Sequence, residues 1–303
     1  MAKVKNRYFI KRSRGEKIFN VFNVILMLML VMFFLFPLFN VVSISLSNEH
    51  AVLRGDVTIF PVGFNGQAYK KIFTHASLWT AIKNSIIVAG VGCVLSILAL
   101  SIAAYPLAFG NFYGKKLYNI LILITMWFNG GIIPTFLTIS NLGLQNSLWS
   151  LILNSLISAY YVVIVRSYFE SLPESIVESA KIDGANDFKI LFQLIIPLSK
   201  PVLATVALWV IVGHWNDFLN PLLFIGARDK FTLQLVLKEM VLDAESSVYS
   251  ISAGGDSDTV GAAALGQQIR NAVLVVSMIP MVVLYPFLQR YFIEGITLGA
   301  VKG

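Results

Sequence analysis

The sequence predicts an all-α integral membrane protein with six transmembrane helices, and three observations predict it. Hydrophobic residues make up 57% of the 303 and charged residues 13%, with a mean hydropathy of +0.76. Soluble domains sit near half apolar and a quarter charged. Six stretches reach the roughly 20 apolar residues that a helix needs to cross the hydrocarbon core. Finally, seven of the 23 basic residues (Lys3, Lys5, Arg7, Lys11, Arg12, Arg14 and Lys17) lie directly ahead of the first apolar run, as a basic head before a membrane span should. This balance excludes an ordinary cytosolic enzyme, a disordered chain and a disulfide-built secreted domain. The net charge of +7 comes with no nucleic-acid motif.

The elements follow in order. Residues 1–17 form a basic N-terminal segment, and the first span is expected at Ile18–Leu46. That run is too long for a signal-peptide core of about 7–15 residues, so the span is retained. The second is expected at Leu78–Phe109, the third at Leu117–Ile139 and the fourth at Ser147–Phe169. The fifth is expected at Pro201–Ile225 and the sixth at Ile269–Phe292, closing a membrane domain over residues 18–293. Pro37, Pro106, Pro134, Pro221, Pro280 and Pro286 fall in or near these runs and mark kinks or ends, which neighbouring helices can satisfy. Asn129 beside Gly130 and Gly131 marks an unwound or tightly packed helix end. Six spans place both termini on one side. With that side inside, fifteen basic residues are inner and eight outer, so both termini are expected in the cytoplasm.

Three polar segments remain: residues 47–77, 170–200 and 226–268. The second carries the most pattern. Pro173 suits a first helical turn, and Ile176, Val177, Ala180 and Ile182 give a partly apolar face. Gly184 turns the chain, and Asn186 caps a second helix with Phe188, Leu191, Phe192 and Ile195 at helical spacing. A helical hairpin with exposed apolar side chains is a docking surface or an amphipathic membrane-surface helix. Glu174, Glu178, Asp183 and Asp187 favour docking, because anionic lipid repels them. Cys93 has no partner for a disulfide and lies in an apolar run, as an inert thiol does. His50, His75 and His214 lack metal-ligand spacing, so no metal site is expected.

Glu178-Ser179-Ala180, Asp183-Gly184-Ala185, Ile196-Pro197 and Pro201 together resemble the EAA loop of permeases in binding-protein-dependent ABC importers. Ser179 stands where that family usually has alanine, and Ile196 where it has leucine. Asn84-Ser85, opening the second span, resembles that family's entry motif, while the run Met126 to Pro134 followed by Leu142-Gly143-Leu144, and Val212 to Asp217, resemble the branch handling complex oligosaccharides, with LplC/YtcP-like permeases the nearest in pattern. Gly295 to Gly303 resembles the tail of the second maltose-type permease. The resemblance implies the type I importer fold, with Glu178, Ser179, Ala180, Ile182, Asp183, Gly184, Ala185 and Phe188 coupling to an ATPase. It implies that the tail 294–303, through Thr297, Gly299 and Lys302, reaches between ATPase subunits. It further implies a second homologous permease, two copies of a cytoplasmic ABC ATPase that bind ATP and Mg, and a lipid-anchored extracellular binding protein. This chain has no G-x-x-x-x-G-K-[ST] phosphate loop, so no cofactor is expected in it and it is expected to be no enzyme. Alternating access in a bacterial plasma membrane is the implied mechanism.

Polar groups in apolar spans tend to face cavities. Asn154, Tyr160, Tyr161, Trp209, Trp215, Asn216 and Asp217 combine aromatic faces with planar hydrogen-bonding groups and are candidates for a carbohydrate path. The alternative is interhelical hydrogen bonding and an interfacial aromatic belt. In the loop 226–268, Leu233 to Leu242 reads as helical, ahead of a flexible Gly/Asp/Ser stretch. Relatives imply binding-protein contact there, through Ser246, Ser247, Tyr249, Asp256 and Asp258; the other reading is an ordered cap. An intramembrane enzyme would need paired catalytic groups, and no G-x-S-x-G, H-E-x-x-H or paired intramembrane aspartates occur.

Overall fold

A chain in hydrocarbon must satisfy its backbone groups internally, and this one does so with helices; among the described residues there is no strand. The computed structural model describes residues 13–252, 264–283 and 286. The chain divides into two compact units, one of Met1–Lys70 with Ala244–Val275 and one of Lys71–Asp243 with Val276–Gly303.

In the first unit, α1 (Arg14–Ser45) starts where a capping box ends the basic head. Ser13 Oγ accepts from the Glu16 amide at 3.2 Å, and the Glu16 carboxylate accepts from the Ser13 amide at 2.8 Å. The two contacts satisfy otherwise orphaned donors. Most of the apolar side chains of α1 are exposed, as suits a helix whose solvent is lipid or another chain. Met27, Met29 and Met32 are among them. Its last turns are pinned by α2 (Glu49–Arg54), α3 (Gln67–Phe73) and the loop between them. Asn40 Nδ2 donates to the Thr58 carbonyl at 2.8 Å, Ser45 and Tyr69 hydroxyls meet at 2.8 Å, and buried Gln268 donates to the Ser47 carbonyl at 2.8 Å.

The second unit is built on α4 (Leu78–Phe109), the helix whose bounds match the expected second span. Its buried face carries Ala81, Ser85, Ala89, Gly92, Ser96 and Ala104. Small residues at this spacing let neighbouring backbones approach, which is how helices associate without a hydrophobic drive between them. α8 (Ala159–Glu170) and α12 (Lys200–Asn216) take that approach. Cys93 is buried there, its thiol 3.8 Å from the Ala207 carbonyl.

Two of the expected spans are bent and a third ends early. The third is α5 (Lys115–Trp127) and α6 (Ile132–Asn141), turned by 114°. The break sits at Asn129-Gly130-Gly131. Gly131 has φ 89° and Asn129 Oδ1 accepts its amide at 2.9 Å, while the Pro134 ring forbids a continuous helix through the carbonyl four residues back. The fourth is α7 (Leu148–Asn154) and α8, turned by 51° across Ser155–Ser158. The fifth ends early: α12 stops at Asn216 and α13 (Leu219–Phe224) follows. Pro221 has Asp217 four residues before it, the position where the helix opens. The helix α14 (Leu233–Ser252) runs ten residues past the expected Leu242. The helix α15 (Ala264–Val283) begins before the expected sixth span, and of the rest of that span only residue 286 is described. By length and composition α1, α4 and α15 can each cross a membrane alone, and up to six spans result if each bent pair is one.

Candidate functional site

Two features of the second unit carry chemistry. The first is the hairpin. α9 (Glu174–Ile182) follows Pro173, then Gly184 turns the chain with φ 79°. A side chain there would be strained, as this left-handed region suits glycine. Asn186 Oδ1 accepts from the Lys189 amide at 2.8 Å and caps α10 (Asp187–Ile190). A π-helical turn, Leu191–Ile195, and the short α11 (Ile196–Leu198) lead on to α12, with an 82° bend between Asp187–Leu198 and α12. The expected second helix is therefore present but widened by an underwound π turn, a feature that frequently marks functional sites.

The hairpin has two faces. Val177, Ala180, Ile190, Leu191 and Ile195 are buried in one apolar cluster with Leu100, Ala104, Val165, Phe169, Val202 and Val206. The other face leaves Ile182 at 86% and Phe188 at 69% exposed, beside exposed Glu178, Ser179, Asp183 and Gly184. Ala185 is half-buried, and Ala180 belongs to the anchoring face rather than the exposed one. Tyr105, near the end of α4, donates its hydroxyl to the Asp187 carboxylate at 3.0 Å, and Lys181 lies 3.9 Å from the same oxygen. The sequence offered no sign of this tether, because it joins residues 82 apart.

The second feature is a cleft of about 660 Å³ lined by residues of α5, α7, α8, α12 and α13 and the turns between them. Asn154, Tyr161, Trp209, Asn216 and Asp217 line it, together with Thr125, Ser155, Ser158, His214 and Asn220. Asn154 Nδ2 donates to Asn220 Oδ1 at 3.3 Å, and Asn220 donates through its amide and Nδ2 to the two Asp217 carboxylate oxygens at 3.1 and 2.7 Å. Tyr161 stacks on Trp209 with centroids 5.8 Å apart, and Tyr160 packs against both rings. Trp215 does not join them. It is 5% exposed and its indole N–H points to the Ser277 carbonyl at 3.3 Å, so it does not line this cleft with the other candidates.

At the N-terminal end of α4, Asn84 Nδ2 donates to the Asp229 and Phe231 carbonyls at 2.9 and 3.0 Å, and Ser85 Oγ accepts from the Leu233 amide. From Asn84 to Tyr105 the helix advances about 32 Å at 1.5 Å per residue, which matches a hydrocarbon core of about 30 Å. The anchored loop and the hairpin therefore sit about one membrane thickness apart. No cluster of metal-ligating side chains occurs among the described residues. The side chains of Ser246, Ser247 and Tyr249 lie outside the described residues, although their backbone belongs to α14. Asp256, Asp258, Thr297, Gly299 and Lys302 lie outside them altogether.

The family model described as "Binding-protein-dependent transport system inner membrane component" matches residues 9–297. The polygalacturonan/rhamnogalacturonan transport system permease protein YtcP of Bacillus subtilis is 34% identical over 264 residues, covering 87% of this chain and 91% of that one. Protein LplC of the same organism is 36% identical over 264 residues, with 87% and 88% covered. A chain of a bacterial ABC transporter involved in the import of the acidic polysaccharide alginate superposes with a TM-score of 0.80 at 32% identity, covering 93% of this chain and 99% of that one. A family match across nearly the whole chain, a relative named as a transport system permease protein and a shared all-helical fold agree: the chain belongs to the inner membrane components of binding-protein-dependent transport systems.

Proposed function

We propose that this chain is one of two permease subunits of an ATP-driven importer that takes up a carbohydrate, an oligosaccharide or glycan fragment. The observation that carries this is the pairing of an exposed hairpin with a polar, aromatic-lined cleft on contiguous helices. The aromatic faces of Tyr161 and Trp209 suit the C–H face of a sugar ring, and the Asn154–Asn220–Asp217 network suits its hydroxyls. The relatives named for polygalacturonan and arabinooligosaccharide transport support the substrate class.

In this reading Glu178, Ser179, Ile182, Asp183 and Phe188 dock on one of two ATPase subunits, which bind ATP and Mg. A second, homologous permease closes the path, membrane lipid surrounds both, and a lipid-anchored binding protein delivers the sugar on the outer face. The chain is multi-pass in a bacterial plasma membrane with both termini cytoplasmic, as the basic N-terminal head favours. ATP binding and sugar delivery bias two states, inward-open and outward-open. The test is purification of the complex and measurement of ATP hydrolysis with and without sugar-loaded binding protein. Stimulation is expected. A permease that copurifies with no ATPase and transports without ATP would overturn the assignment.

A further inference from the structure

Among the described residues Asp217 is the single charged residue lining the cleft, with no lysine or arginine beside it there. Both oxygens of its carboxylate accept from Asn220, a neutral donor, and Asn220 in turn accepts from Asn154, also neutral. The negative charge is thus oriented by hydrogen bonds and, among the described residues, compensated by no cation of the cleft wall. The remaining polar groups there are hydroxyls and amides, with one imidazole, set beside the Tyr161–Trp209 stack. A neutral glycosyl unit donates its hydroxyls to such a carboxylate. A uronate brings a second negative charge into this half-open cleft and, among the described residues, meets no basic side chain to receive it.

We propose that Asp217 makes this cleft selective for uncharged glycosyl units over uronates. Asp217 is then a specificity-determining residue, and the carbohydrate handled by this chain is neutral. The proposal rests on the reading of the cleft as the carbohydrate path. It separates this chain from relatives named for alginate and polygalacturonan, whose sugars carry carboxylates.

The test uses the intact complex of both permeases and the ATPase in nanodiscs, without the binding protein, so that the receptor's own selectivity does not enter. The probes are three neutral trisaccharides (maltotriose, galactotriose and arabinotriose) and trigalacturonate of equal length. The readout is the part of the tryptophan fluorescence change that Trp209→Phe abolishes. At low salt at least one neutral trisaccharide is expected to bind about tenfold or more tightly than trigalacturonate, the penalty of one like-charge encounter roughly 10 Å away at an effective dielectric near 20. Raising the salt narrows the ratio, because exposed charges are screened. Asp217→Asn keeps an acceptor for Asn220 and removes the charge. It is expected to bring the ratio within about threefold by strengthening trigalacturonate binding. The second permease is the same in both complexes, so the change reports on Asp217. Equal affinities in the wild type, or an unchanged ratio in a folded Asp217→Asn complex, overturn the proposal while leaving the path reading intact. If neither class gives a Trp209-dependent signal, the path reading fails and the proposal falls with it.

Discussion

Replacing Gly92 by alanine tests the packing that positions the cleft. Gly92 lies on the buried face of α4, in the interface with α12. A Cβ at this position would sit 2.6 Å from His214 Nε2, 3.1 Å from its Cδ2 and 3.3 Å from its Cε1. The first distance is roughly 1 Å short of an unstrained contact. The imidazole is packed between α12 and α4. It is 8% exposed, and its neighbour Trp215 is buried and tied to Ser277. Among the described residues Nε2 has no hydrogen-bond partner, so packing holds the ring beside glycine. The alanine must therefore push α12 from α4 or rotate the ring, and His214 also lines the cleft.

Overpacking of this kind costs about 1–3 kcal/mol. The measurement is thermal unfolding of the purified complex for wild type, Gly92→Ala, His214→Ala and the double variant in one detergent. Gly92→Ala is expected to lower the midpoint. His214→Ala removes the clashing atoms, so the double variant should be more stable than the two single losses predict. A favourable interaction energy of about 1 kcal/mol or more is expected for residues in direct contact. A wild-type midpoint in Gly92→Ala, or simple additivity in the cycle, refutes the reasoning.

Three further outcomes are expected. Gly184→Pro or Glu178→Lys should abolish sugar-stimulated ATP hydrolysis without preventing membrane insertion, since Gly184 has φ 79° and no neighbour within 4 Å of an added Cβ; stimulation at the wild-type level in either variant contradicts the docking role. Deleting Thr297–Gly303 should weaken ATPase assembly or activity, and normal hydrolysis by the truncated complex reduces that segment to a terminus. Deleting Ser246–Asp258 should leave the permease–ATPase complex intact and impair uptake driven by the binding protein, so unchanged uptake with the protein in the membrane removes that segment from the contact.

The bounds of α4 could be read from the sequence because an uninterrupted apolar run has one solution in hydrocarbon, a straight helix. The bends could not be read so directly. An apolar run fixes how much chain lies in the membrane and leaves the direction of its axis open. Pro134 and Pro221 were the available signals, each breaking its helix near the residue four positions back. The break at Ser155–Ser158 has only a cluster of polar residues to announce it. The cleft was half legible. Asn154, Tyr161, Trp209, Asn216 and Asp217 stood out as costly polar or aromatic groups. On α12 helical phase separates the cleft side from Trp215: Trp209, Gly213 and Asn216 recur at spacings of four and three and share one side, and all three line the cleft. Trp215 falls roughly opposite Gly213, at 200° by the helical period, which is why it packs on Ser277 instead. Composition marked it as interesting, and phase assigns it to packing.

The hairpin and the cleft are parts of one mechanical element. The chain passes from α10 through the π turn and α11 into α12 with a single residue, Ser199, between the last two, and that residue is fully buried. α12 is 17 residues long, about 25 Å at 1.5 Å per residue, and it carries Trp209 and His214 to the cleft. A flexible connection would absorb a displacement of the hairpin before it reached them. Here the buried face of the hairpin shares its apolar cluster with α4, α8 and the first half of α12. Close-packed interiors transmit strain because they have few voids into which side chains can yield. The compliant points are Gly184, at the tip, and the π turn, where the helical hydrogen-bond ladder is already irregular. A push on exposed Ile182 and Phe188 therefore has two outlets, rotation at the π turn or movement of α12 against α4. The second outlet runs through the Gly92–His214 contact, so the packing that shapes the cleft wall also lies on the route by which a docked ATPase would move it.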